Sequence, residues 1–150
     1  MIKRIFLQLS LTVVTLLSIT SCDKDNEMTI QYSALPSSAQ TTISTYFDQD
    51  QIMLITYDKS LFDKEYSVIF FDGTAIEFNK NGAWESIESR ITGVPTAILP
   101  TTIADYLATN YPDQMVVEVD KETTGYDVQL DNNIELEFST SGTLIGVDFE

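Results

Sequence analysis

Twenty-three acidic side chains against eight basic ones, no histidine and a single cysteine bound the chemistry open to this 150-residue chain. Without histidine, serine–histidine and cysteine–histidine nucleophiles cannot be assembled, and the commonest general base is missing. Histidine and thiolate metal sites are excluded with them. Carboxylates remain, and a pair of them can do acid–base work when its surroundings push one pKa up. Here they fall at alternating strand positions such as Glu118, Asp120, Asp127, Glu135 and Glu137, or in turns, with no pocket pattern to perturb them. An oxygen-only calcium site is the other carboxylate chemistry, yet Asp23-x-Asp25 lacks the glycine and the distal glutamate of an EF-hand loop. The residue types therefore argue for a protein that is not an enzyme, with no catalytic residue, no metal site and no cofactor.

The elements that would carry these residues begin after residue 21. Lys3 and Arg4 precede an apolar run, 5–19, shorter than the roughly 20 residues a spanning helix needs, so 1–21 reads as an export signal. Its junction, Ile19-Thr20-Ser21-Cys22, resembles the lipobox of bacterial lipoproteins, which makes Cys22 the expected site of lipid attachment. A lone thiol is otherwise a liability in an oxidising compartment, and a disulfide framework is impossible. Residues 22–33 read as a polar tether. Loss of the signal leaves six basic residues against twenty-three acidic ones, a net charge of −17. Nucleic acid is thereby excluded as a partner, and contact with a membrane is expected through the lipid anchor only. The acidic run Asp23-Lys24-Asp25-Asn26-Glu27 resembles a signal that sends some Bacteroidetes lipoproteins to the outer face of the outer membrane. The expected location is thus the outer membrane, periplasmic or surface-exposed.

From residue 34 to 150 one pattern is written twice. Leu35-Pro36, Tyr66-x-Val68, Ile76-Glu77-Phe78 and Asn81-Gly82 return as Leu99-Pro100, Tyr126-x-Val128, Leu136-Glu137-Phe138 and Ser141-Gly142. The repeats span about 34–92 and about 98–150, with four extra residues near 60–64 in the first. Each opens with a proline that suits only a helix start, followed by apolar residues at helical spacing: Ala39, Ile43, Tyr46 and Phe47, then Ile103, Tyr106, Leu107 and Tyr111. Period-two alternation follows, with Val117, Val119, Tyr126, Val128, Leu130, Ile134, Leu136 and Phe138 inward. Turn residues at Asp72-Gly73, Asn81-Gly82, Asn132-Asn133 and Ser141-Gly142 divide the strands and set Val68 opposite Ile76 and Val128 opposite Leu136. The expected fold class is α+β: two tandem helix-plus-four-strand antiparallel units, the helices packed on one face of a curved sheet.

The doubled Leu-Pro, Tyr-x-Val, Glu-Phe and x-Gly motifs in an acidic, lipobox-bearing chain resemble the PepSY-like family of Bacteroidetes lipoproteins, whose fold is related to the β-lactamase-inhibitor protein. The resemblance covers about 35–150. It implies an open sheet face available to a partner and an association with restraint of peptidases or other hydrolases, and it carries no inhibitory residue across.

Comparison of the two copies locates a candidate binding face. Repeat 2 presents Glu118, Asp120, Gln129, Glu135 and Glu137 away from the helices, whereas repeat 1 presents Leu54, Ile69 and Ile52. A surface that is apolar in one copy only asks for a cover, and Ile52, Leu54, Ile69, Phe71 and Trp84 are the candidate partner-binding residues. Trp84 faces outward if the preceding loop is even in length and inward if it is odd. The expected partner is an envelope or secreted protein. A surface glycan- or cation-binding accessory lipoprotein is the alternative.

Overall fold

The computed structural model describes residues 27–59 and 64–149. The export signal, the Cys22 attachment site and, of the insertion expected near 60–64, residues 60–63 lie outside the described residues. Nine strands form one antiparallel sheet in sequence order: β1 (Glu27–Thr29), β2 (Ile52–Lys59), β3 (Lys64–Phe70), β4 (Ala75–Asn79), β5 (Trp84–Glu88), β6 (Val116–Lys121), β7 (Gly125–Leu130), β8 (Ile134–Ser139) and β9 (Leu144–Phe149). Two ten-residue helices, α1 (Ser37–Tyr46) and α2 (Thr101–Asn110), interrupt the meander.

This architecture corrects the expected fold class. The chain is not two helix-plus-four-strand units but a mostly-β single sheet. β5 pairs directly with β6 through Ser86 and Asp120, Ile87 and Val119, and Glu88 and Glu118. One buried cluster runs from Ile43 and Phe78 to Ile103 and Phe138 without a boundary. Residues 27–33, expected to belong to the tether, are also built into the fold from Glu27 onward. β1 pairs with β2, and Ile30 and Tyr32 pack against the core. The Tyr32 hydroxyl donates to the Gln40 carbonyl at 2.9 Å.

Neither helix is strong in its own right. α1 contains six Ser and Thr residues, and four of its hydroxyls turn back to main-chain carbonyls: Thr41 onto Ser37 at 2.8 Å, Thr42 onto Ser38 at 3.1 Å, Ser44 onto Thr41 at 3.2 Å and Thr45 onto Thr41 at 2.7 Å. Such back-bonding is neutral or unfavourable in a helix, so packing must hold the helix in place. Ala39 and Ile43 are fully buried against the sheet, as is Ile103 in α2. The β4–β5 turn anchors the start of α1, where the Ser38 hydroxyl donates to the Asn81 carbonyl at 2.6 Å. Gly82 sits there at φ +75° with Pro36 and Ser38 against it, so a side chain would be both strained and obstructed.

The turns set the register as the sequence predicts: Val68 faces Ile76 and Val128 faces Leu136, all four fully buried. The phase slips at bulges, one extra residue at a time. In β2 the slip lies between Ile52 and Leu54, in β6 between Val116 and Glu118. Val116, paired with Leu130, therefore joins the core cluster, and Val117, expected inward by strict alternation, is buried next to it.

Candidate functional site

The face of the sheet opposite the helices is defined by the residues that alternate with the core. One row crosses it from β2 to β9: Leu54, Ile69, Ala75, Glu88, Glu118, Gln129, Glu135 and Asp148, each directly opposite the next. The row changes character in the middle. Its first three members are apolar and half-buried, while four of the remaining five are carboxylates. Arg90, just past β5, stands at the change, its Nε donating to Glu88 and its Nη2 to Glu118 Oε2 at 3.0 Å.

The structure separates the five candidate binding residues. Leu54 and Ile69 lie on the open face, as expected, and are paired with each other there. Ile52 is not on that face: the bulge at Met53 pairs it with the buried Phe70, and it packs against the core. Trp84 also lies inward, because a second bulge sets it opposite Phe78. Its ring centroid is 6.3 Å from that of Tyr126, and Lys121 Nζ lies 5.5 Å from its centre in a cation–π contact. Phe71 is well exposed in the β3–β4 turn, its main-chain N–H donating to the Gln51 carbonyl at 2.9 Å. Two exposed apolar residues at the same end of the sheet, Met53 and Ile91, escaped the alternation argument because a bulge and a loop carry them. The four-residue apolar run 52–55 was the available signal, since an uninterrupted run in a one-sided strand requires a bulge.

That end of the sheet is held by a chain of hydrogen bonds. Asp72 accepts from the Thr74 N–H and from the Thr92 hydroxyl, both at 2.9 Å; Thr92 shares a 2.9 Å contact with Ser89, and Ser89 a buried 2.8 Å contact with Thr74. The Thr74 amide, followed by the hydroxyls, holds the Asp72 carboxyl below the usual carboxylate range. The turn bearing Phe71 and the loop bearing Ile91 are thereby fixed to one another.

The acidic half of the open face is an open trough of about 390 Å³ lined by Arg90, Glu118, Asp120, Asp127, Gln129, Asn133 and Glu135. Partial burial, and then the adjacent Asp120 charge, raise the pKa of Asp127. No group of three or more acidic or cysteine side chains among the described residues is arranged to hold a metal ion.

A family model described as "Putative beta-lactamase-inhibitor-like, PepSY-like" matches residues 64–146. Three Bacteroides crystal structures share the fold. A "putative periplasmic protein" of the DUF2874 family from Bacteroides vulgatus is 35% identical, with a TM-score of 0.76 over 83% of this chain and 98% of that one. A "putative calcium-regulated periplasmic protein" from Bacteroides thetaiotaomicron is 37% identical, with a TM-score of 0.77 and the same coverage. A "putative periplasmic protein of unknown function" from Bacteroides vulgatus is 28% identical, with a TM-score of 0.73 over 81% of this chain and 98% of that one. The curated proteins hold no match to the chain. A family model spanning more than half of the chain and relatives above 30% identity over most of its length lead to one conclusion: the chain belongs to the PepSY-like, beta-lactamase-inhibitor-like family.

Proposed function

We propose that this protein is a lipoprotein of the cell envelope, anchored to the outer membrane through Cys22, that acts as a non-catalytic module docking and restraining an envelope hydrolase or peptidase. The observation that carries this reading is the break in the open-face row, where Leu54, Ile69 and Ala75 give way to the Glu88–Arg90–Glu118 group. An apolar patch bordered by charge is how a protein surface gains both affinity and orientation. The inhibitor-like family description and the periplasmic descriptions of the relatives agree with this reading.

Leu54→Asp and Ile69→Asp test it, because both side chains are only half-buried. Crosslinking on intact cells identifies the protein docked by the unsubstituted chain, and the activity of that hydrolase is then measured with each variant. Folded variants that lose at least tenfold in inhibition support the reading. Unchanged inhibition, or a captured protein whose activity the chain leaves untouched, overturns it.

The second reading is a cation-binding accessory, favoured by the Asp120–Asp127 pair in the acidic trough and by the calcium-regulated description of one relative. It requires the melting temperature to rise across a calcium titration, and a flat response removes it.

A further inference from the structure

The two ends of the sheet are unlike. β1 offers three residues, whereas β9 offers six and carries the exposed Ile145, Val147 and Phe149. β9 stands to β8 as β5 stands to β4. In the first pair Ile76 faces Ile87, with a bulge leading to Phe78 and Trp84; in the second Leu136 faces Val147, with a bulge leading to Phe138 and Leu144. Burial at matching positions is opposite. Ile87 is 0% and Ser89 1% exposed, while Val147 is 39% and Phe149 78% exposed. The difference lies in the neighbour: β6 runs alongside β5, and no strand among the described residues runs alongside β9.

We propose that β9 pairs with β9 of a second copy of this chain across a two-fold axis. Strands β2 to β8 are each paired on both sides and β1 is short, so the one long edge that a second copy can offer is its own β9. A two-fold axis makes two such edges antiparallel automatically. The side chains then select the register. Directly opposed residues share a face, which restricts the axis to pass through a residue. An axis at Asp148 sets two carboxylates against each other, a destabilising arrangement. An axis at Val147 sets Val147 against Val147 and places Asp148 against the side-chain-free Gly146, with Phe149 at the level of the bulge that carries Ile145 in the other copy. Val147 is covered, Phe149 gains an apolar neighbour and no carboxylate directly faces another. The net charge of both copies opposes association, so salt strengthens the pairing.

The inference concerns β9, at the far edge from Leu54 and Ile69, and stands or falls separately from the docking of a hydrolase. It is tested with the full chain in the cell envelope. Val147→Cys places two thiols on Cα atoms roughly 4.5–5.5 Å apart, within disulfide range. Mild oxidation is expected to give a disulfide dimer at least tenfold more abundant than from Asp148→Cys or from the unsubstituted chain, whose lipidated Cys22 has no thiol to pair. In sedimentation of the detergent-solubilised chain, Phe149→Lys is expected to weaken the dimer at least tenfold in 0.5 M NaCl with an unchanged melt. A Val147→Cys chain that stays at background, one that crosslinks to a different protein, or a Phe149→Lys chain that associates like the unsubstituted one overturns the proposal.

Discussion

Asp127 lies directly opposite Asp120 on the open face, on adjacent strands of one sheet. Like charges in directly opposed positions cost roughly 0.2–1 kcal/mol. Burial, and then Asp120, raise the Asp127 pKa above its unfolded value, so this carboxyl favours the fold while protonated and the contribution is lost as pH rises through the raised pKa. Asp127→Asn is expected to raise the melting temperature at pH 7 by about 1–4 °C. The gain should shrink as pH falls into the carboxylate range, and melts from pH 7 down to pH 3 check it.

Asp72 has the opposite sign. Its carboxylate accepts from the Thr74 N–H and the Thr92 hydroxyl, and its pKa is held down. Its contribution is therefore full above the unfolded value of about 3.9 and is lost as pH falls through the lower folded value. Asp72→Ala is expected to cost about 1–2 kcal/mol in urea unfolding at pH 7, and much less at pH 2.5.

Arg90 bridges Glu88 and Glu118, which face each other across the β5–β6 joint. Its side chain is more than half exposed, so the pairs are screened by solvent. Arg90→Met is expected to cost no more than about 1 kcal/mol at low ionic strength and close to nothing in 1 M NaCl. Paired urea titrations at the two salt concentrations measure the difference.

Which parts of this were legible in the sequence follows from what each signal reports. Turn residues and period two report local register, which is why they set Val68 opposite Ile76 and put Leu54 and Ile69 on the open face, as observed. A bulge adds one residue without changing composition, so alternation puts Ile52 on the open face, leaves Trp84 open, and overlooks both Met53 and the burial of Val116 next to Val117. The doubled motif suggested two units because it is silent on edges. Whether β5 ends one sheet or continues into β6 depends on the three-residue pairing of Ser86, Ile87 and Glu88 with Asp120, Val119 and Glu118, a contact between the two copies. The same silence hid β1, whose residues 27–29 look polar enough for a tether and earn their place through main-chain pairing with β2.

The joined sheet makes a prediction that two separate units would not. Phe138 is 1% exposed and meets Tyr106 edge-on, with ring centroids 5.5 Å apart, so Phe138→Ala is expected to cost about 3–5 kcal/mol. Its damage should not stay in the second half. Val119 is buried against Ile87 across the joint, and Trp84 on β5 contacts Tyr126 and Lys121 on β7 and β6. Trp84, the chain's single tryptophan, thus reports on both halves at once. Its fluorescence and far-ultraviolet circular dichroism should fall together in one transition, displaced to lower urea by Phe138→Ala with an unchanged slope. Two transitions, with half of the ellipticity surviving the first, would mean that the halves fold separately and that the β5–β6 pairing does not couple them.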